Sequence, residues 1–333
     1  MARMAGTCVG LVVALCLLWS GSVASAGASD GSGCTRLAAP NGSDDSGTGS
    51  AERPYATPAR LLASLASGET GCLRGGEYSF SELTFKRPGV TLTAYGSERV
   101  TLRGTIKVVP AGAGSVIAGM ILNGAGGASD IGPRIYADRV VLRDNEITND
   151  HTQSCVTVSR YFDAPHPTGV VIENNVIHDC GRLPATNHDH GIYLSEARET
   201  IVRNNLIYDN ADRGLQMYPD VEGSQITANV IVANGQGLNF SGTGALTSNN
   251  NLVEGNVIAD SKLGWNVYSG LEGPNASGNV LRGNCVHASN PDDEFNADAG
   301  IETPSRNFAA EDNSVVDSIA EITEQDSCAA ASR

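Results

Sequence analysis

Three observations in this 333-residue sequence point to an all-β solenoid. A short apolar run followed by asparagine and then x-Ile or x-Val recurs in "VVLRDNEITND", "VVIENNVIHDC", "TIVRNNLIYDN", "QITANVIVAN", "LVEGNVIAD" and "NVLRGNCVHAS". The shared asparagines, Asn145, Asn175, Asn205, Asn229, Asn256 and Asn284, are 30, 30, 24, 27 and 28 residues apart, a period that marks a repeat architecture. The apolar runs are Val/Ile-rich, alternate in and out, and are too short for helices, so they read as strands. No crossover helix fits between them, so whole coils must stack into a parallel β-helix, each burying its inward Ile or Val against the next.

The segments fall in order along the chain. Residues 1–26 carry Arg3, an apolar run from Val9 to Trp19 and the small-residue exit "SVASA", the pattern of a secretory signal peptide. Residues 27–75 form an N-terminal loop and capping helix. Thr57 is the expected N-cap with Pro58 at the first helical position, and Leu61, Leu62 and Leu65 share one face that closes the open end of the solenoid. Residues 76–290 hold the repeats. The periodicity fades past Pro291, leaving 291–333 as a C-terminal cap or tail. At each bend asparagine is expected both to tolerate the left-handed conformation and to stack in a ladder.

Composition limits the partners. A formal charge of −15 with three lysines, Lys86, Lys107 and Lys262, argues against nucleic acid and against an anionic membrane surface. No segment after the signal peptide is apolar for long enough to span a bilayer. Six cysteines remain after the signal peptide, as suits a secreted chain; they allow 15 connectivities, of which local closure favours Cys34 with Cys72, Cys155 with Cys180 and Cys285 with Cys328. A monomer is expected.

The segments "NGSDDSGTG", "RPYATPARLLASL", "VIENNVIHDCG", "HGIYLS" and "GLQMYP" resemble secreted proteins of the pectate-lyase-like superfamily with PbH1-type repeats. The resemblance covers nearly all of residues 38–290 and implies a right-handed parallel β-helix. It also implies an extracellular polysaccharide as partner, because such proteins include polysaccharide lyases, uronan epimerases, glycoside hydrolases and members without demonstrated activity. The catalytic signatures of these groups are absent here: "RLPAT" at Arg182 lacks the closing arginine of calcium-dependent pectate lyases, and neither the paired aspartates and Gly-His-Gly set of polygalacturonases nor the Asp-Pro-His-Asp of alginate epimerases occurs. No catalytic set therefore transfers.

The site is read from the repeats themselves. Stacking "HGIYLS", "RGLQMYP", "QGLNFSG" and "LGWNVYSG" on Gly191, Gly214, Gly237 and Gly264 puts Ile192, Leu215, Leu238 and Trp265 inward. Thr157, Tyr193, Gln216, Asn239 and Asn266 then face outward as one ladder, and Ser159, Ser195, Tyr218, Ser241 and Tyr268 as a second. His190, Arg213 and Gln236 meet at the strand entrances. Cys155 to Gly191 takes 36 residues against 23 or 27 for the later steps, so a long insertion, including "YFDAPHP" and "RLPATNHDH", lies beside this face.

Rings, amides, hydroxyls and an arginine on one rigid face suit a sugar. The expected reaction is β-elimination at a uronic acid: His190 as base, Arg213 neutralising the carboxylate and Tyr193 as acid, with His188, Gln216, Tyr218 and Asn239 binding substrate. The alternative is a non-catalytic β-helix that binds glycan or serves at the cell surface or matrix, and a third is a glycoside hydrolase using Asp212, Asp220 or Glu196. No cofactor is required. Calcium would enter at Asp44 and Asp45, and a transition metal would need His188 and His190 facing it with Asp189 turned away and a further ligand such as His166.

Overall fold

The computed structural model describes residues 33–272, 276–288, 300–301 and 308–316. The expected signal peptide, most of the expected C-terminal cap or tail, and Cys328 lie outside the described residues. Among the described residues the chain is a right-handed parallel β-helix with very little helix. Its strands form one sheet of 11 strands and one of 17, and the larger comprises two ladders joined at the N-terminal coils. No helix of the described residues is long and apolar enough to cross a membrane.

Each inward column is apolar and dry. Ile117, Leu142, Ile172, Val202, Ile226, Val253 and Leu281 follow one another in register on one face, all at 0% exposure. A second face stacks Leu122, Ile147, Ile177, Ile207, Ile231 and Ile258 in the same way. Each such side chain contributes about 1.5–3 kcal/mol relative to exposure, and only through its neighbours in the next coil.

The asparagine ladder is internal. Asn175 donates its backbone N–H and its Nδ2–H to Oδ1 of Asn205, at 2.9 and 3.0 Å, and Asn205 and Asn229 repeat the pattern onto Asn229 and Asn256. Each Nδ2 also donates to a strand carbonyl, such as Ile172 O from Asn205 and Val202 O from Asn229. The bend itself uses a different residue from the one expected. The left-handed conformation falls one position earlier, at Asp144, Asn174, Asn204, Ala228 and Gly255, so the ladder asparagine is selected for its two-sided amide.

The helix α1 (Pro58–Ser64) packs Leu61 and Leu62 on the first coils, and Thr57 Oγ1 caps it by accepting the Arg60 N–H. Asp44 accepts N–H groups of Ala56 and Thr57 and the Thr57 hydroxyl, so it anchors the helix entry. Cys34–Cys72 and Cys155–Cys180 are disulfide-bonded. Cys285 is also disulfide-bonded, and Cys328, its expected partner, lies outside the described residues.

The third face carries the strands that matter for the site: β1 (Val100–Val108), β2 (Arg134–Ile135), β3 (Val156–Val158), β4 (Ile192–Leu194), β5 (Arg213–Met217), β6 (Gln236–Thr243) and β7 (Val267–Glu272). The glycines that open β4 and β5 are fixed by crowding. A Cβ on Gly191 would lie 2.8 Å from Nδ2 of Asn210, and one on Gly214 would lie 2.8 Å from Nδ2 of Asn234.

Candidate functional site

Register places the outward column with one correction. Thr157 pairs with Tyr193, Tyr193 with Gln216, and Gln216 with Asn239, as the glycine alignment predicts. In the last coil the register is displaced by two residues: Leu238 pairs with Val267 and Asn239 with Tyr268. Val267 fills the core at 0% exposure where Trp265 was expected. Asn266 is an internal strut instead of a ladder member, accepting from Ser261 and donating to His287 O. Trp265 and Tyr268 stack, with ring centroids 5.0 Å apart and planes at 16°. Ser241 consequently neighbours Gly270 and not Tyr268.

The strand entrances meet as expected. Arg213 pairs with Gln236, and the Arg213 backbone N–H donates to Nδ1 of His190 at 3.4 Å. His190, Arg213, Gln216 and Asn239 are all buried. The face is therefore a covered cleft, and Arg213, Asn187, Ala185, Asp212, Gly235, Gln236 and Leu263 line a cavity of ≈ 180 Å³ within it.

The cover is the "NHDH" turn, and Asp212 holds it. One carboxylate accepts the backbone N–H groups of Asn187, His188 and Asp189, at 2.8, 2.8 and 2.7 Å. Asp189 is buried and meets Nε of Arg182 at 2.6 Å. His188 is exposed while His190 is buried, so the two rings do not face a common point. Among the described residues no group of three or more potential ligands could hold a metal ion. The disulfide Cys155–Cys180 ties the foot of this loop to the start of β3.

Electrostatics set the character of each group. Arg213 donates from Nη1 to Gln216 Oε1 and Asn187 O, forms no ion pair with any described residue, and has a buried Nε with no hydrogen-bond partner. Burial pulls its guanidinium below the usual value and Asp212 pulls it back, yet an arginine stays charged. Burial foremost, then Arg213 and His188, holds His190 well below the ordinary imidazole value, so the ring is neutral. Its Nδ1 lone pair faces the Arg213 N–H, which places the ring proton on Nε2. Tyr193, edge-on to His190 at 5.4 Å, is raised above the ordinary phenol value by burial, so it is a donor at neutral pH.

Two further acceptors are left open. Gln236 Oε1 and Asn239 Oδ1 are buried without a hydrogen-bond partner among the described residues. The carboxylates near the face are all engaged: Asp212 by the turn, Asp220 by Arg198 at 2.9 Å and Glu196 by Arg160 at 2.9 Å. Tyr218 is half-buried at the C-terminal end of β5. The anchoring role of Asp212 follows from the loop's placement, which repeat spacing alone does not convey.

A family model described as right handed beta helix region matches residues 119–286. Among solved structures, the pectate lyase Pel9A superposes with a TM-score of 0.59 at 13% identity, over 86% of this chain and 78% of its own. XylC in complex with xylose gives a TM-score of 0.57 at 12% identity, over 76% of this chain and 69% of its own. At these identities the likeness is one of fold. None of the curated proteins matches the sequence.

Proposed function

The chain belongs to the right handed beta helix family, and on that scaffold we propose a secreted carbohydrate-active protein whose Arg213 cleft takes a uronic acid unit of an extracellular polysaccharide. The observation that carries this reading is a buried cation that forms no ion pair with any described residue, Arg213, beside two buried acceptors without donors among the described residues, Gln236 Oε1 and Asn239 Oδ1. An unpaired guanidinium calls for a carboxylate, open acceptors call for hydroxyls, and a uronic acid carries both. Gln216, Tyr218 and the exposed His188 flank that position as further contacts. Disulfides support an oxidising compartment, and the fold likeness to a pectate lyase is in keeping with the substrate class.

Cleavage by β-elimination is the reaction this set of groups serves best. Arg213 stabilises the enolate that forms as the C5 proton leaves, the C4–O bond breaks as the C4–C5 double bond forms, and Tyr193 gives its proton to the departing oxygen. His190 is neutral, as a base must be. It can accept the C5 proton through Nε2 only in the tautomer that gives up the 3.4 Å contact with the Arg213 N–H, a long and weak bond. Hydrolysis is disfavoured because Asp212, Asp220 and Glu196 all hold structural partners.

The test is to offer the purified protein pectin, alginate, glycosaminoglycans and neutral glycans, measuring binding by calorimetry and unsaturated ends by absorbance. Uronan binding that Arg213→Gln removes is expected. Binding of neutral glycans alone would overturn the reading. Uronan binding without unsaturated ends would leave a non-catalytic glycan-binding protein, and reducing ends without unsaturation would make it a hydrolase.

A further inference from the structure

The outward column does not stop at Thr157. Register continues it towards the N-terminus: Thr157 pairs with Arg134, and Arg134 with Lys107. Two cations thus stand in the same column as Tyr193, Gln216 and Asn239. Three strand spacings separate Arg134 from Gln216, a distance of roughly 14 Å along the solenoid axis.

Arg134 shares three features with Arg213. One is that it forms no ion pair with any described residue, another that its Nε is buried without a hydrogen-bond partner among them, and the last that its other nitrogens meet neutral groups alone, the Ser129 hydroxyl at 3.5 Å and Tyr136. It is half-buried, so its head is accessible where that of Arg213 is covered. Lys107, one coil further, has Glu82 at 3.6 Å.

Aromatic rings enclose the two cations. The Arg134 guanidinium lies 5.5 Å from the Tyr136 ring centroid, and the Lys107 ammonium lies 5.7 Å from that of Tyr161. Tyr136 and Tyr161 are themselves 5.1 Å apart, and Phe162, 79% exposed, stands edge-on to Tyr161 at 4.7 Å. Tyr161 and Phe162 belong to the "YFDAPHP" insertion, which Arg160 fastens to Glu196 at the end of β4. The insertion therefore stands beside the column that carries the two cations. Rings that flank a cation bind the apolar face of a sugar while the cation takes its carboxylate.

We propose that Arg134, with Lys107, Tyr136 and Tyr161, forms a second acidic-sugar subsite on the same groove as the Arg213 cleft, so that the ligand is a polyuronide chain bearing carboxylates several units apart. The proposal rests on the uronate reading of the Arg213 cleft and adds a chain-length requirement. A single uronic acid reaches one arginine only, whereas an extended chain along the column reaches both. On a protein of formal charge −15, such local pairs of cations are what allow a polyanion to bind at all.

The experiment measures the affinity of the full chain for free galacturonate, for mannuronate and for their homo-oligomers of increasing length, in wild type, Arg134→Gln and Arg213→Gln. Affinity is expected to rise with chain length until both arginines are spanned. Arg134→Gln is expected to weaken long chains by roughly tenfold and to leave the single sugars unchanged. Arg213→Gln should weaken both. Affinity independent of length, or long chains bound equally by Arg134→Gln, would overturn the subsite while leaving the Arg213 reading intact. Wild type that binds neither sugar nor chain would overturn both.

Discussion

The backbone N–H of Arg213 donates to Nδ1 of His190 across adjacent coils, so the ring that looked most catalytic in the sequence is tied to the backbone that carries the cation. Asparagine at position 190 can place Oδ1 where Nδ1 stands and accept the same N–H. His190→Asn is therefore expected to bind uronan within about threefold of wild type, while His190→Ala, which leaves a buried donor open, weakens it by roughly tenfold. Titration calorimetry on the two variants checks this. Equal losses in both would remove the positioning role. If wild type releases unsaturated product, the same pair reads the base: the asparagine variant then binds but does not turn over.

The same ring sets a pH dependence of stability. Burial first, with Arg213 and His188, depresses the folded-state value well below 6.5. Below about pH 6.5 the unfolded chain takes up a proton at position 190 that the folded chain refuses, so stability is complete above that pH and is lost as pH falls. The loss approaches ~1.4 kcal/mol per pH unit at its steepest. Urea midpoints followed from neutral to mildly acidic pH should show that decline in wild type and a shallower one in His190→Asn. Parallel curves would mean that the ring takes up its proton alike in the folded and unfolded chains.

How much of this was legible depended on which signal each residue carries. The asparagine period located the coils because a buried amide that must serve two neighbours tolerates no substitute, and Asn205 and Asn229 do that in every bond they make. Glycine alignment found Tyr193, Gln216 and Asn239 because Gly191 and Gly214 are fixed by the amides above them. It failed at Gly264, where the apolar residue that must fill the core is Val267, two positions beyond the expected Trp265. Arg134 and Lys107 stayed hidden because Cys155 stands where the aligned glycine would be in the coil between Gly132 and Gly191, and Met120 stands where the ladder asparagine would be, so the alignment had no anchor beyond Thr157. The acceptor role of Asp212 was equally invisible, since it depends on a loop folding back over the strand that follows it.

That loop should come loose as a unit. Asp212→Ala leaves the N–H groups of Asn187, His188 and Asp189 without their shared acceptor, at a cost of about 1–3 kcal/mol for each group that water cannot reach. Amide exchange at positions 187–189 is expected to accelerate while exchange in the strand core holds, and uronan affinity should fall because Asn187 no longer covers Arg213. Unchanged exchange at those amides would show that the Arg182–Asp189 pair holds the turn without Asp212.

Opening the Cys155–Cys180 bridge tests the other end of the same loop. The bond closes a separation of 25 residues, and in the chain-entropy account a loop of that length contributes about 3 kcal/mol by restricting the unfolded chain. Both cysteines are fully buried against the core, so Cys155→Ala with Cys180→Ala is the gentler replacement. The Cys180 backbone N–H also joins the amide ladder by donating to Asn210 Oδ1, and that bond survives the substitution because it is made by the backbone. The double variant is therefore expected to keep the coil register, to lose roughly 3 kcal/mol in urea denaturation, and to weaken uronan binding more than the stability loss alone explains, since the turn over Arg213 is tethered through Cys180. A variant that loses stability but binds as wild type would show that Asp212 alone positions the cover.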